Sequence, residues 1–291
     1  MEDPKNIRFS RAKSPGMDFE IFPLEVMMAR KDLDHDPTRL HRVQFYVMLI
    51  ITSGRGSHTV DFVKYDYARG SVITVRKDQL HCFEYSKAMG YIILFTEEYL
   101  LSYLDRTGSD KLASFFNELL FEQHTQLNEE SLEDILHLIG SIGKEYNGII
   151  DEHSARIIRN YLQILISNVY RIRDRPGSKR GSIKYNRSFI ELHKLIEQHC
   201  PVHRNVQHYA DLMNTTARTL NTVTNNVLRK SVKQLIDELV ILEIKRCLIN
   251  SEDSIKEIAH QFSFDEPTNL FKYFKRHAGK TPEVFRKMYV P

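Results

Sequence analysis

The last forty residues constrain the fold more than any other stretch of the chain. Ser254 stands three residues ahead of Glu257, a reciprocal pair that caps a helix start, and Ile255, Ile258, Ala259 and Phe262 follow at helical spacing. Asp265 is placed to accept the free amides of a second helix that tolerates Pro267 early and takes its apolar stripe from Leu270, Phe271 and Phe274. Thr281 before Pro282 starts a closing helix with Val284 and Phe285. Two short helices joined by a polar turn have the layout of a helix-turn-helix. Thr268, Asn269, Lys272, Lys275 and Arg276 lie between the apolar positions of the second helix. Amides read base edges and cations neutralise phosphates, so this face suits a major groove; a solvated cationic helix would have the same composition.

A fainter copy lies upstream. Val206, Ala210, Leu212 and Met213 make one short helix, Asn214 to Thr216 supply turn and cap, and Leu220, Val223 and Val227 continue on another. The second helix of this copy presents Arg218, Asn221, Thr222 and Asn225. Ser231 to Ile249, between the copies, contains no Gly or Pro. A helix of that length is a rod of roughly 28 Å, near the roughly 34 Å between successive major grooves on one face of DNA.

Residues from about 189 to 290 resemble the C-terminal domain of the AraC/XylS family of bacterial transcription regulators. The resemblance is carried by Leu242-Glu-Ile-Lys-Arg-Cys-Leu248, Ser254-Ile-Lys-Glu-Ile-Ala259, Phe264, Phe271-Lys-Tyr-Phe-Lys-Arg276 and Gly279-Lys-Thr-Pro282. It implies an all-α domain of two helix-turn-helix units joined by a long helix, with double-stranded promoter or operator DNA and RNA polymerase as partners. Groove-facing positions carried over from the family fall on Arg218, Asn221, Thr222 and Asn225, and on Pro267, Thr268, Asn269, Phe271 and Lys272, of which the polar members are the candidates; Lys275 joins them as a cation on the same helix. The chain departs from the family at Ser263 and Arg229, where Gly is usual, and at Val232, where Pro is frequent.

The first half is a different object. Short apolar runs recur between turn signals: Phe45 to Ile51, Thr59 to Val63, Val72 to Val75 and Tyr91 to Phe95. Such spacing predicts an all-β sandwich or barrel. Several runs are apolar on both faces, so one face fills the barrel and the other meets a second layer. Strand parity decides whether Phe45, Val47 and Leu49 or Tyr46, Met48 and Ile50 point inward.

This region resembles, more loosely, the cupin-like effector domain of the same family, through strand order, His41, the Gly54 to Gly56 turn, Gly70 and His81. Cupin metal sites need several converging ligands, and His58 is followed by Thr59 and Val60, which breaks the His-x-His pair. His41 and His81, facing each other across the barrel, are therefore expected as structural or ligand-facing groups. His41, Phe45, Val47 and His81 are the candidate effector contacts, in an apolar pocket for a small organic molecule with no metal or cofactor.

Leu132, Ile135, Ile139, Ile142 and Tyr146, then Ile158, Tyr161, Leu162, Leu165, Val169 and Ile172, mark two amphipathic helices split at Asn147-Gly148. Their stripes suit either the chain's own barrel or a second protomer. The family resemblance favours a homodimer, and a charge at an exposed stripe residue such as Leu132 or Leu165 is expected to weaken it.

The expected architecture is a two-domain α+β chain. A cupin-like β-barrel with a helical hairpin occupies residues 1–173, a basic linker residues 174–187, and a double helix-turn-helix domain residues 188–291. Charge agrees with this division: residues 1–170 carry 19 Lys and Arg against 25 Asp and Glu, and residues 186–291 carry 16 against 12. Cys82, Cys200 and Cys247 are isolated, which suits reduced thiols in a cytoplasmic protein. The N-terminal residues have no apolar signal core, so neither secretion nor a membrane partner is expected. A sequence-specific regulator, an activator rather than an enzyme, is the leading reading; a cupin-type enzyme fused to a DNA-targeting domain is the alternative, separable by metal analysis.

Overall fold

The computed structural model describes residues 5–10, 13, 17–29, 35–84, 86–102, 123–173 and 183–289. The chain divides into two compact units, whose described residues run from 5 to 173 and from 183 to 289.

In the first unit the elements are β1 (Asn6–Ile7), β2 (Phe19–Pro23), α1 (Leu24–Ala29), β3 (His41–Val43), β4 (Tyr46–Ser53), β5 (Arg55–Val60), β6 (Val63–Ala68), β7 (Ser71–Val75), β8 (Leu80–Phe83), β9 (Met89–Phe95), α2 (Glu97–Leu101), β10 (His124–Gln126), α3 (Glu129–Asn147) and α4 (Ser154–Arg173). The cupin-like barrel is built as two facing five-stranded sheets, ordered β1-β3-β8-β5-β6 and β10-β7-β4-β9-β2. Phe45, Val47, Leu49 and Ile51 point between the sheets, where they meet Val43, Val60, Phe83, Ile73 and Ile92. Tyr46, Met48 and Ile50 point the other way, onto the helices. That answers the parity question, and it explains why β4 is apolar on both faces: each face covers a core.

The run Thr59 to Val63 is not one strand. Val60 pairs with Val63 across a two-residue turn in which Asp61 and Phe62 both take positive φ, 46° and 68°. A turn with φ > 0 at both central residues matches the twist of the flanking strands. The Asp61 carboxylate anchors it by accepting from the Leu80 amide (3.2 Å) and the Gln79 side-chain amide (2.7 Å). The apolar run concealed the turn because Phe62 is an unusual residue for that conformation.

The hairpin α3–α4 directs its stripes inward. Leu132, Ile135, Ile139, Ile142, Ile158, Leu162, Leu165 and Val169 join Phe19, Met48, Ile50, Ile93 and Phe95 in one core. Leu132 and Leu165 are fully buried, which corrects the expectation that they are exposed and free for a partner protomer. Tyr99 ties α2 to the hairpin, its hydroxyl donating to the Ala155 carbonyl (2.8 Å) while its own carbonyl accepts from Arg159 (2.6 Å).

The second unit is all helix: α5 (Ile183–His199), α6 (Val206–Leu212), α7 (Ala217–Leu228), α8 (Val232–Asn250), α9 (Ile255–Gln261), α10 (Pro267–Ala278) and α11 (Pro282–Tyr289). Of the segment expected as linker, residues 174–182 lie outside the described residues, while α5 already begins at Ile183. Helix α8 buries Leu235, Ile236, Val240, Ile241, Ile244, Leu248 and Ile249. A helix apolar around most of its circumference belongs at a centre, and α8 packs against α5 and α7 on one side of the repeat and α9, α10 and α11 on the other.

Candidate DNA-binding and ligand sites

Each half of the helical unit follows one plan. A seven-residue helix ends in a left-handed residue, Asn214 (φ 48°) or Ser263 (φ 51°), and a twelve-residue helix ends in another, Arg229 (φ 57°) or Gly279 (φ 73°). The next helix then starts. The turn amides of Thr215 and Phe264 donate to the carbonyls of Ala210 and Ala259, both at 2.9 Å, so the two turns begin alike. They end differently: Thr216 caps α7 by accepting from the Thr219 amide, whereas α10 starts one residue later from Glu266, whose side chain makes no capping bond. The expected cap at Asp265 is thereby corrected; Pro267 occupies the first position of α10 and its fixed φ presets the helix instead.

Thr268, Asn269, Lys272, Lys275 and Arg276 are all exposed on α10, while Leu270 and Phe274 are buried. Phe271 is half-buried. On α7, Arg218, Thr222 and Asn225 are exposed along one face. Asn221 is different. Its side-chain amide donates to the Ala217 carbonyl (2.9 Å) and its oxygen accepts from the Val232 amide (3.1 Å), so it clamps α7 to the start of α8. Ser231 completes that junction with a capping box to Gln234, which Val232 enters without needing Pro.

Arg204 is a positioning residue absent from the sequence reading. It precedes α6, yet its guanidinium donates to the Ser263 carbonyl (2.7 Å) and lies 4.0 Å over the Phe264 ring. Tyr273 adds a second tie, donating to Asp237 of α8 (2.8 Å). These contacts hold the second turn against residues 59 and 36 positions away. No local pattern could have disclosed them.

In the first unit, His41, Phe45, Val47 and His81 line one cavity together with Phe9, Phe22, Val43, Phe83 and Leu94. Its polar wall adds Arg8, Glu20 and His35. His41 and His81 do not face each other across the barrel; they are Cα partners on the paired strands β3 and β8, with ring centroids 4.2 Å apart. The series continues to His58, whose Nε2 lies 3.1 Å from His81 Nδ1. Burial pushes His41 down to about 4 and His58 down to about 3, and holds His81 well below the usual imidazole range, so all three rings are neutral. Among the described residues no group of three or more His, Cys, Asp or Glu is arranged to hold a metal ion.

A helical unit carrying two helix-turn-helix motifs, in one chain with a two-sheet unit that holds a cavity, is the make-up of a transcription regulator that binds DNA and has a separate ligand-binding domain. Residues 26–157 match the AraC-like ligand binding domain, and residues 209–288 match a helix-turn-helix domain. This chain belongs to the AraC/XylS family. It is similar to the HTH-type transcriptional activator RhaS of Salmonella agona (strain SL483), at 20% identity over 85% of this chain and 87% of that one. RhaS of Salmonella typhi matches to the same extent. Among solved structures, ToxT from Vibrio cholerae aligns over 94% of this chain and 98% of its own at 12% identity and a TM-score of 0.42. The AraC-like transcriptional activator CuxR aligns over 77% and 73% at 14% identity and a TM-score of 0.31. No helix among the described residues is long and apolar enough to cross a membrane.

Proposed function

We propose that this chain is a non-enzymatic, cytoplasmic transcription activator that reads promoter DNA with α7 and α10 and recruits RNA polymerase. An organic effector held between the two sheets modulates it, and it acts as a homodimer. The observation that carries the DNA reading is the shared plan of the two helix-turn-helix units, each presenting an exposed polar face on a twelve-residue helix braced by α8. Arg218, Thr222 and Asn225 read one groove segment; Thr268 and Asn269 read the other, with Lys272 and Lys275 on phosphate. Asn221 supports this face from behind rather than reading bases.

The test is binding of the full chain to an operator recovered by genome-wide mapping. Replacing both Asn269 and Lys272 by Ala is expected to lower affinity by a few kcal/mol and to reduce the salt slope by about one unit. Unchanged affinity and slope would remove α10 as a reader. Support for the activator sign comes from the relatives named as activators, and a reporter fused to the mapped promoter checks it.

A further inference from the structure

The polar end of the cavity has a definite hydrogen-bonding sense. His41 Nδ1 lies 2.9 Å from the Arg39 carbonyl oxygen. A carbonyl only accepts, so Nδ1 carries the proton, and in a neutral imidazole Nε2 is then a bare acceptor. Glu20 lies on the same wall and is 7% exposed. Beyond His41, the His81–His58 pair shares one hydrogen bond through His81 Nδ1 and His58 Nε2, leaving His81 Nε2 and His58 Nδ1 buried and without partners. Whichever ring donates in that bond, one outer nitrogen of the pair is an N–H and the other a lone pair. The apolar lining is aromatic or aliphatic, with Phe9, Phe22, Phe45, Val47, Phe83 and Leu94, while Arg8, Ser10 and His35 complete the polar wall.

We propose that this cavity takes an apolar or aromatic molecule ending in a neutral hydroxyl group, whose O–H donates to His41 Nε2 while its body lies among the phenylalanines. A carboxylate is the wrong head group. It has no proton to offer His41, and the imidazoles beside it are held neutral by burial, so its charge would be desolvated without compensation. Arg8, the one Lys or Arg of the lining among the described residues, is itself exposed. An ether is mismatched at His41 for a different reason, since an acceptor set against the Nε2 acceptor leaves both unsatisfied there.

This inference rests on the effector-pocket reading, and the experiment separates the two. The full chain is titrated calorimetrically at pH 7.5 with 4-propylphenol, 4-propylanisole and 4-propylbenzoate, which share one apolar body. The phenol is expected to bind at least tenfold more tightly than either other probe. In His41→Phe that preference over the anisole should vanish, and in His41→Gln, which keeps an acceptor oxygen, it should persist. Anisole or benzoate binding as well as the phenol would overturn the hydroxyl assignment while leaving an effector pocket in place. Selectivity unchanged in a folded His41→Phe chain would overturn the role of His41. If none of the three binds, hydroxyl recognition and the effector-pocket reading fall together. Should His41→Phe not fold, the ranking of probes on the unaltered chain still decides the head group.

Discussion

Single residues carry the departures from the family pattern, and their backbone angles say what each costs. Ser263 and Arg229 stand where Gly is usual, and both take positive φ, a conformation that disfavours a residue with a Cβ. Ser263→Gly and Arg229→Gly should each stabilise the helical unit by about 1 kcal/mol, read as a higher urea midpoint, with Gly279→Ala lowering it by a similar amount. The Arg204 bond to residue 263 is made to a carbonyl and survives the change. The neutral histidines give a pH prediction whose sign follows from their depressed values. Above the unfolded imidazole pKa of about 6.5 their burial costs nothing in protons. As pH falls from there toward 4, the unfolded chain takes up protons that His41, His58 and His81 in the fold refuse, so the two-sheet unit loses stability. Melting temperature should therefore drop between pH 6.5 and 4, and less steeply in His58→Phe.

At the scale of elements, amphipathic periodicity located the helices well and assigned their faces poorly. The boundaries of α9 were legible because the Ser254–Glu257 box is local chemistry, and both of its bonds are present. The α3–α4 stripes were equally legible as helices, but a stripe says only that something covers it. Here the cover is the β4 sheet, so Leu132→Asp or Leu165→Asp should unfold the first unit, at about 3 kcal/mol or more, rather than merely separate protomers. Ile164, 48% exposed on the other side of α4, is the better probe of association. In sedimentation at micromolar concentration the unaltered chain is expected to be a dimer and Ile164→Asp more monomeric. The β5–β6 turn shows the complementary weakness. An apolar run reads as continuous even where Asp61 and Phe62 reverse the chain, because the signal that stops a strand is normally a glycine or asparagine.

For the whole molecule, the two-part organisation was visible in composition and charge, since a barrel and a helix-turn-helix demand different periodicities. The individual reading residues were legible only as exposed polar positions, and Asn221 shows why that is insufficient: its side chain is engaged by Ala217 and Val232, two contacts that depend on how α7 meets α8. The central helix also sets the distance between the two proposed readers. Inserting about five base pairs, half a turn of duplex, between the two contacted segments should lower affinity, and inserting about ten should restore part of it if DNA bending can absorb the added length.

The turns of the two halves differ by one residue, and the faces they present differ in chemistry: arginine, threonine and asparagine on α7, and a lysine-rich surface on α10. A chain with two unlike readers has no internal palindrome to match. If both faces read DNA as proposed, the binding site is expected to possess a head and a tail, so that one molecule on the double helix points along it like an arrow.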